Sequence, residues 1–160
     1  MNKVVRAAAI GTALAVSAAL VEGSVASAQS NPAVASHKET SLKFDVEFSP
    51  FNYTDLGPPG PSAADVIVFH DKLLQSGRQV AEDVGSCVVV EPDGLSNCTG
   101  VITFLDQRGS LAFAFRNSPP PRKTLAITGG TGIYRTADGD GLLVEFTTGP
   151  TGTLTLRIDS

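Results

Sequence analysis

Asp45 and Glu47 alternate with Phe44, Val46 and Phe48 in residues 42–48. A carboxyl turned toward apolar neighbours has its pKa raised and becomes a usable acid near neutrality. If both acids instead face water, they are simply the solvated face of a strand. Other constellations offer less. The histidines are His37 and His70, and one of them precedes the strand-forming region. No transition-metal site can be built from that set. Gly129-Gly-Thr-Gly132 lacks the following Lys of a phosphate-binding loop and the spacing of a dinucleotide fingerprint. It reads as a tight turn in which Gly supplies positive φ and Tyr134 packs beneath. Asp138-Gly-Asp-Gly141 lacks the third acidic position and the Glu of a calcium loop. No Gly-x-Ser-x-Gly elbow is present. The run Asp55-Leu-Gly-Pro-Pro-Gly-Pro-Ser-Ala-Ala-Asp65 reads as a structured loop whose Asp and Ser cap backbone donors.

These residues must be held by strands. Residues 42–48 have period two, a strand with one apolar face. Pro50 and the Gly-Pro cluster at 57–61 break it. Residues 65–74 form a second strand, and Gln75-Ser-Gly77 a hairpin turn. A third strand spans 78–91, with Gly85 marking a bulge or corner. Further strands are expected over 95–105, 110–116, 124–128, 142–147 and 153–159. In 110–116, Leu111, Phe113 and Phe115 share one face. Three prolines at 119–121 exclude an interior strand there. Eight short strands with tight turns mean a barrel or a sandwich, and periodicity does not choose between them.

Residues 1–28 carry Lys3 and Arg6, an apolar run over 7–21, and Ala26-Ser27-Ala28. That is a secretory signal peptide, and the apolar run is short for a membrane anchor. A flexible lead-in is expected over 29–40 and the folded domain over 41–160. The net charge of −4 becomes −5 once Lys3, Arg6 and Glu22 are removed. A mildly acidic domain has no electrostatic footprint for nucleic acid, and the mature form would have no membrane span. The protein is expected to be secreted or otherwise extracytoplasmic. Two cysteines in an exported chain suggest one disulfide, Cys87–Cys98. Opposed residues of a hairpin share a constant sum, which is 185 for this pair. An even loop gives that sum. Pro92-Asp93-Gly94 favours a three-residue loop, and then a second bulge near Gly100 must restore the register.

Four segments carry a family resemblance: Asp55–Asp65, Phe69-His-Asp-Lys-Leu73, Cys87-Val-Val-Val-Glu91 and Ala126-Ile-Thr-Gly-Gly-Thr-Gly-Ile-Tyr134. In that order the chain resembles the allene oxide cyclase and dirigent-protein barrel superfamily over about residues 54–146. The resemblance implies an all-β, single-domain, eight-stranded antiparallel barrel around an apolar cavity, and a possible homotrimer. In the cyclases a first-strand Glu and a second-strand Asn act on the substrate. The matching positions here are Glu47, or Asp45 with a two-residue slip, and Asp71. Cys87 matches a cavity-lining Cys. Asp71 departs from the pattern, because an anionic carboxylate repels a developing oxyanion unless protonated.

The expected function is binding of a small apolar molecule in the lumen, by Phe44, Phe48, Phe69, Phe113 and Phe115. The chemistry expected is cofactor-free cyclisation or isomerisation, with Glu47, Asp45 or Asp71 as the acid. Two other readings stay open. One is a noncatalytic carrier of a hydrophobic ligand. The other is a structural barrel whose lumen is filled by phenylalanines, including Phe104 and Phe146.

Overall fold

The computed structural model describes residues 39–118 and 121–159. The expected signal peptide and most of the lead-in lie outside these residues. Nine strands follow one another: β1 Glu39–Glu47, β2 Asn52–Thr54, β3 Val66–Gln75, β4 Arg78–Val89, β5 Ser96–Phe104, β6 Ser110–Asn117, β7 Arg122–Gly130, β8 Asp138–Glu145 and β9 Thr151–Asp159. β1 thus begins inside the stretch expected to be lead-in. All neighbours pair antiparallel, and β1 pairs with both β9 and β3. Eight strands therefore close into a barrel, which leaves no free sheet edge. The three-residue β2 adds outside the closed ring, on β3.

The turns follow their sequences. Ser76 and Gly77 both have positive φ, and Gln75 pairs with Arg78. That is a two-residue hairpin with a mirror-image turn, whose twist matches the strands. The Pro92 hairpin keeps the sum of 185 along all of β4–β5. Val90 N–H donates to the Leu95 carbonyl, and Gly94 N–H to that of Glu91. The loop therefore has four residues, Glu91 to Gly94. No second bulge at Gly100 is needed, because Gly100 pairs with Gly85 in unbroken register. Cys87 and Cys98 are bonded, with Cα atoms 4.0 Å apart.

Two differences from the sequence reading have one cause. β7 is longer than 124–128, and β8 starts at Asp138 rather than Leu142. Gly129 and Gly130 are expected in a tight turn, and Gly139 and Gly141 precede the strand expected from 142, but all four lie within these strands. Cross-strand pairing recruits them although they have no strand propensity of their own.

One end of the barrel is solid. Phe44, Leu73, Ala81, Ile102, Phe104, Leu111, Leu156 and Ile158 are buried there. Tyr134 follows the Gly-rich segment and seals the end. Its ring stacks on Phe104 at 4.9 Å between centroids, and Arg108 lies 4.1 Å over the other ring's centroid. A Cβ at Gly132 would sit 2.3 Å from the Arg108 carbonyl oxygen, and Gly132 has φ +61°. The motif is architectural, as its sequence suggested. Phe146 is 47% exposed and takes no part in the core.

Candidate functional site

The other half of the barrel is hollow. A cavity of about 610 Å³ runs from mid-barrel to the mouth formed by Phe48, Phe51, Asn117 and Pro150. That volume is in the range of small-molecule sites, and the filled-lumen reading fails. The reason lies in one row of register. Phe69 of β3 opposes Gly85 of β4, which opposes Gly100 of β5, which opposes Phe113 of β6. A Cβ on Gly85 would lie 2.3 Å from Phe69 Cζ, and one on Gly100 would lie 2.4 Å from Phe113 Cζ. Both rings lie flat on glycine, against the wall, and leave the lumen open. Gly85 is therefore a ring seat and not the bulge or corner expected. The register shift in β3–β4 falls instead between Leu73 and Leu74.

Phe48, Phe69, Phe113 and Phe115 line the cavity, joined by Phe51. Phe44 does not, because it belongs to the solid half, 6.4 Å from Phe104. The inward alternation expected for the first and fifth strands of the sequence reading holds. Phe44 and Phe113 are buried, whereas Lys43 and Asp45 are exposed; Phe115 faces the open lumen and is half-buried like Ala114 behind it.

Of the three candidate acids, Asp71 alone reaches the lumen. Asp45 and Glu47 occupy the outer face of β1, and Glu47 meets Lys72 at 3.9 Å in the open. The cause is parity. Val46 points inward, so its neighbours point outward. Asp71 accepts hydrogen bonds from Ser49 N–H at 2.8 Å and Ser49 Oγ at 3.3 Å. Burial raises its pKa, and those two bonds oppose the rise.

Asp83 was missed. It opposes Asp71 directly across β3 and β4, lines the same cavity and is 7% exposed. Its Oδ1 is buried without a hydrogen-bond partner. Burial first, and the Asp71 charge second, push its pKa up to about 7. The signal was available, because Cys87 must face Cys98, and two steps of two residues place Asp83 on the Cys87 face. The next inward residues, Leu73 and Ala81, are fully buried, so the two carboxyls form the cavity floor. Glu145 lies nearer the mouth. It is bonded at 2.7 Å to Lys123, which is 6% exposed, beside a smaller recess lined by Asp93, Asn117 and Pro121. Leu142, Leu143 and Val144 are all apolar, so sequence alone could not phase β8 and show that Glu145 points inward.

The loop before β3 has a structural role. Asp65 is buried and accepts from Leu56 N–H, Ser62 N–H, Ser62 Oγ and Tyr53 Oη. The Tyr53 hydroxyl is the main cause of its pKa falling to about 2, and Tyr53 rises to about 12 in return. His70 points outward to Glu82 at 3.1 Å. Among the described residues no helix is long and apolar enough to cross a membrane.

No family model and no curated protein matches the chain. Solved structures do. The chain is similar to pyocyanin demethylase at 25% identity, over 74% of this chain and 99% of that one, with a TM-score of 0.65. It is similar to a pterocarpan synthase dirigent protein at 20% identity, over 76% and 94%, with a TM-score of 0.56. It is similar to a nonspecific heme-binding cyclase that catalyses a [4 + 2] cycloaddition at 13% identity, over 78% and 68%, with a TM-score of 0.61. The barrel is thus one that dirigent proteins and cyclases share.

Proposed function

We propose that the protein binds a small, largely apolar molecule in the barrel cavity and steers its cyclisation or rearrangement. The observation that carries this reading is the carboxyl pair on the floor of a phenylalanine-walled cavity. Burial pushes the pKa of one member, Asp83, up to about 7, and one of its oxygens has no partner. Asp83 can give a proton to the ligand while it is protonated, and either carboxylate of the pair, side by side on the floor, can take one back once ionised. The rigid wall holds a flexible ligand in one reactive conformation, which lowers the entropic part of the barrier. Neighbours named as a demethylase, a dirigent protein and a cyclase support the use of this barrel for small-molecule chemistry.

The reaction we propose needs no cofactor. The described residues that line the cavity include no His, Met or Tyr, and Cys87 is tied up in the disulfide, so the usual axial ligands of haem iron are missing from the wall. Export is part of the proposal, because the disulfide suits an oxidising compartment. So is a homotrimer, for which the exposed Val68, Val84, Val88 and Val101 on β3, β4 and β5 offer an apolar face.

Native mass spectrometry of the exported protein tests the binding step by the mass it retains. The released compound is then incubated with wild type and with Asp83→Asn. Loss of turnover with retained binding is the expected result. Unchanged turnover would remove the carboxyl from the chemistry and leave a carrier.

A further inference from the structure

Charge is distributed unevenly around this cavity. Asp71, Asp83 and Glu145 line it. Among the described lining residues there is no Lys, Arg or His. The nearby cation, Lys123, is already bound to Glu145 at 2.7 Å and lies outside the lining. The two floor carboxyls therefore have no countercharge, and Asp83 Oδ1 is buried and unpartnered. Phe48, Phe51, Phe69, Phe113 and Phe115 supply the walls, and an aromatic ring presents a negative face. A ligand carrying a carboxylate would meet like charge with nothing to offset it. A cation would gain both from the carboxyls and from the ring faces.

We infer that the preferred ligand of the site proposed above is an apolar organic cation: a compact aromatic body bearing one positive charge. The charge rests over Asp71 and Asp83, and the body lies against the phenylalanine rings. The inference rests on the small-molecule reading of the cavity and narrows it to one charge class.

A linked proton follows. Two carboxyls opposed across adjacent strands, with Cβ atoms about 5 Å apart, do not both ionise easily, so the pair retains a proton near neutrality. A bound cation takes that proton's place. Cation binding therefore tightens as pH rises through about 7 and releases a proton. The other charged groups that act on the pair are Glu145 from β8 and His70 on the outer face of β3. β1 and β5 bring no titratable side chain to this face, only Phe44, Val46, Gly100 and Ile102.

Three tricyclic fluorophores of one shape test the charge class: 10-methylacridinium, acridine and anthracene-9-carboxylate. Each is titrated into the exported protein about a unit above neutral pH, where acridine is uncharged. We expect the cation to bind roughly tenfold or more tighter than acridine, and the anion to bind most weakly. In Asp71→Asn/Asp83→Asn the preference should shrink to within about threefold. If acridine binds wild type as tightly as the cation, or the variant keeps the full preference, the inference is overturned while the cavity reading stands. If none of the three enters, both fall. Should the double variant not fold, wild type alone decides. Cation affinity that weakens as pH drops below neutrality supports the inference, and a flat profile overturns it.

Discussion

Asp83 holds a carboxyl on an apolar floor, and its pKa of about 7 follows from that burial. The unfolded chain titrates near 3.8. Between these values the folded protein binds a proton that the unfolded chain has released. Stability should therefore fall as pH rises from about 4 to about 7 and then level off, by on the order of 2–4 kcal/mol in all. Asp65 has the opposite sign. Its carboxyl is lowered to about 2, so its contribution is present above pH 3.8 and disappears as pH falls toward 2. The two slopes place maximal stability on the acid side of neutrality. Urea unfolding across a pH series measures this. Asp83→Asn should remove most of the decline between about 4 and 7, the remainder coming from Asp71, and leave the acid limb intact. A profile unchanged by that substitution would show that Asp83 is ordinary.

At the scale of strands, the Phe69-Gly85-Gly100-Phe113 row decides whether a lumen exists. Gly100→Ala would put a methyl 2.4 Å from the Phe113 ring tip, and the ring must lift into the cavity. We expect a cost of about 1–3 kcal/mol and weaker binding of a neutral apolar fluorophore such as N-phenyl-1-naphthylamine. Thermal melts with fluorescence titration read both effects, and normal affinity would mean that the ring has another place to go. The β4–β5 hairpin allows a second test. Cys87 and Cys98 are 11 residues apart. Replacing both with Ala should cost roughly 2–3 kcal/mol in the chain-entropy model, measured as a shift of the urea midpoint. A larger loss would mean that the bond also sets the register of the floor, because Asp83 lies on the same face of β4.

For the whole molecule, closure of the ring leaves the outer face as the remaining surface for assembly. Val84 and Val101 oppose each other across β4 and β5, and Val68 stands on β3. If the proposed homotrimer uses this face, Val84→Lys/Val101→Lys should yield a monomer by light scattering. The probe titration should be little changed, since neither residue lines the cavity. A wild-type protein that is already monomeric would remove the trimer from the proposal.

Much of the fold follows from local residue patterns. Alternation in residues 42–48 and 110–116 set which faces turn inward. The two cysteines, whose numbers sum to 185, pointed to one disulfide across a hairpin while leaving its loop length open, and Ser76-Gly77 set a turn. Each of these is local, governed by the period of the strand or the φ of one residue. The sequence by itself did not determine which inward carboxyl would matter. Asp45 and Glu47 attracted attention beside Phe44, yet parity turns them out to water. Asp83 sat unnoticed among polar residues until β3 brought Asp71 opposite it. The hollow half was equally hidden. Seven phenylalanines looked able to fill a lumen, and two of them lie flat only because glycines from two other strands stand in the same row. A carboxyl's pKa and a ring's tilt depend on neighbours far away in the chain. Only closure of the barrel brings those neighbours together.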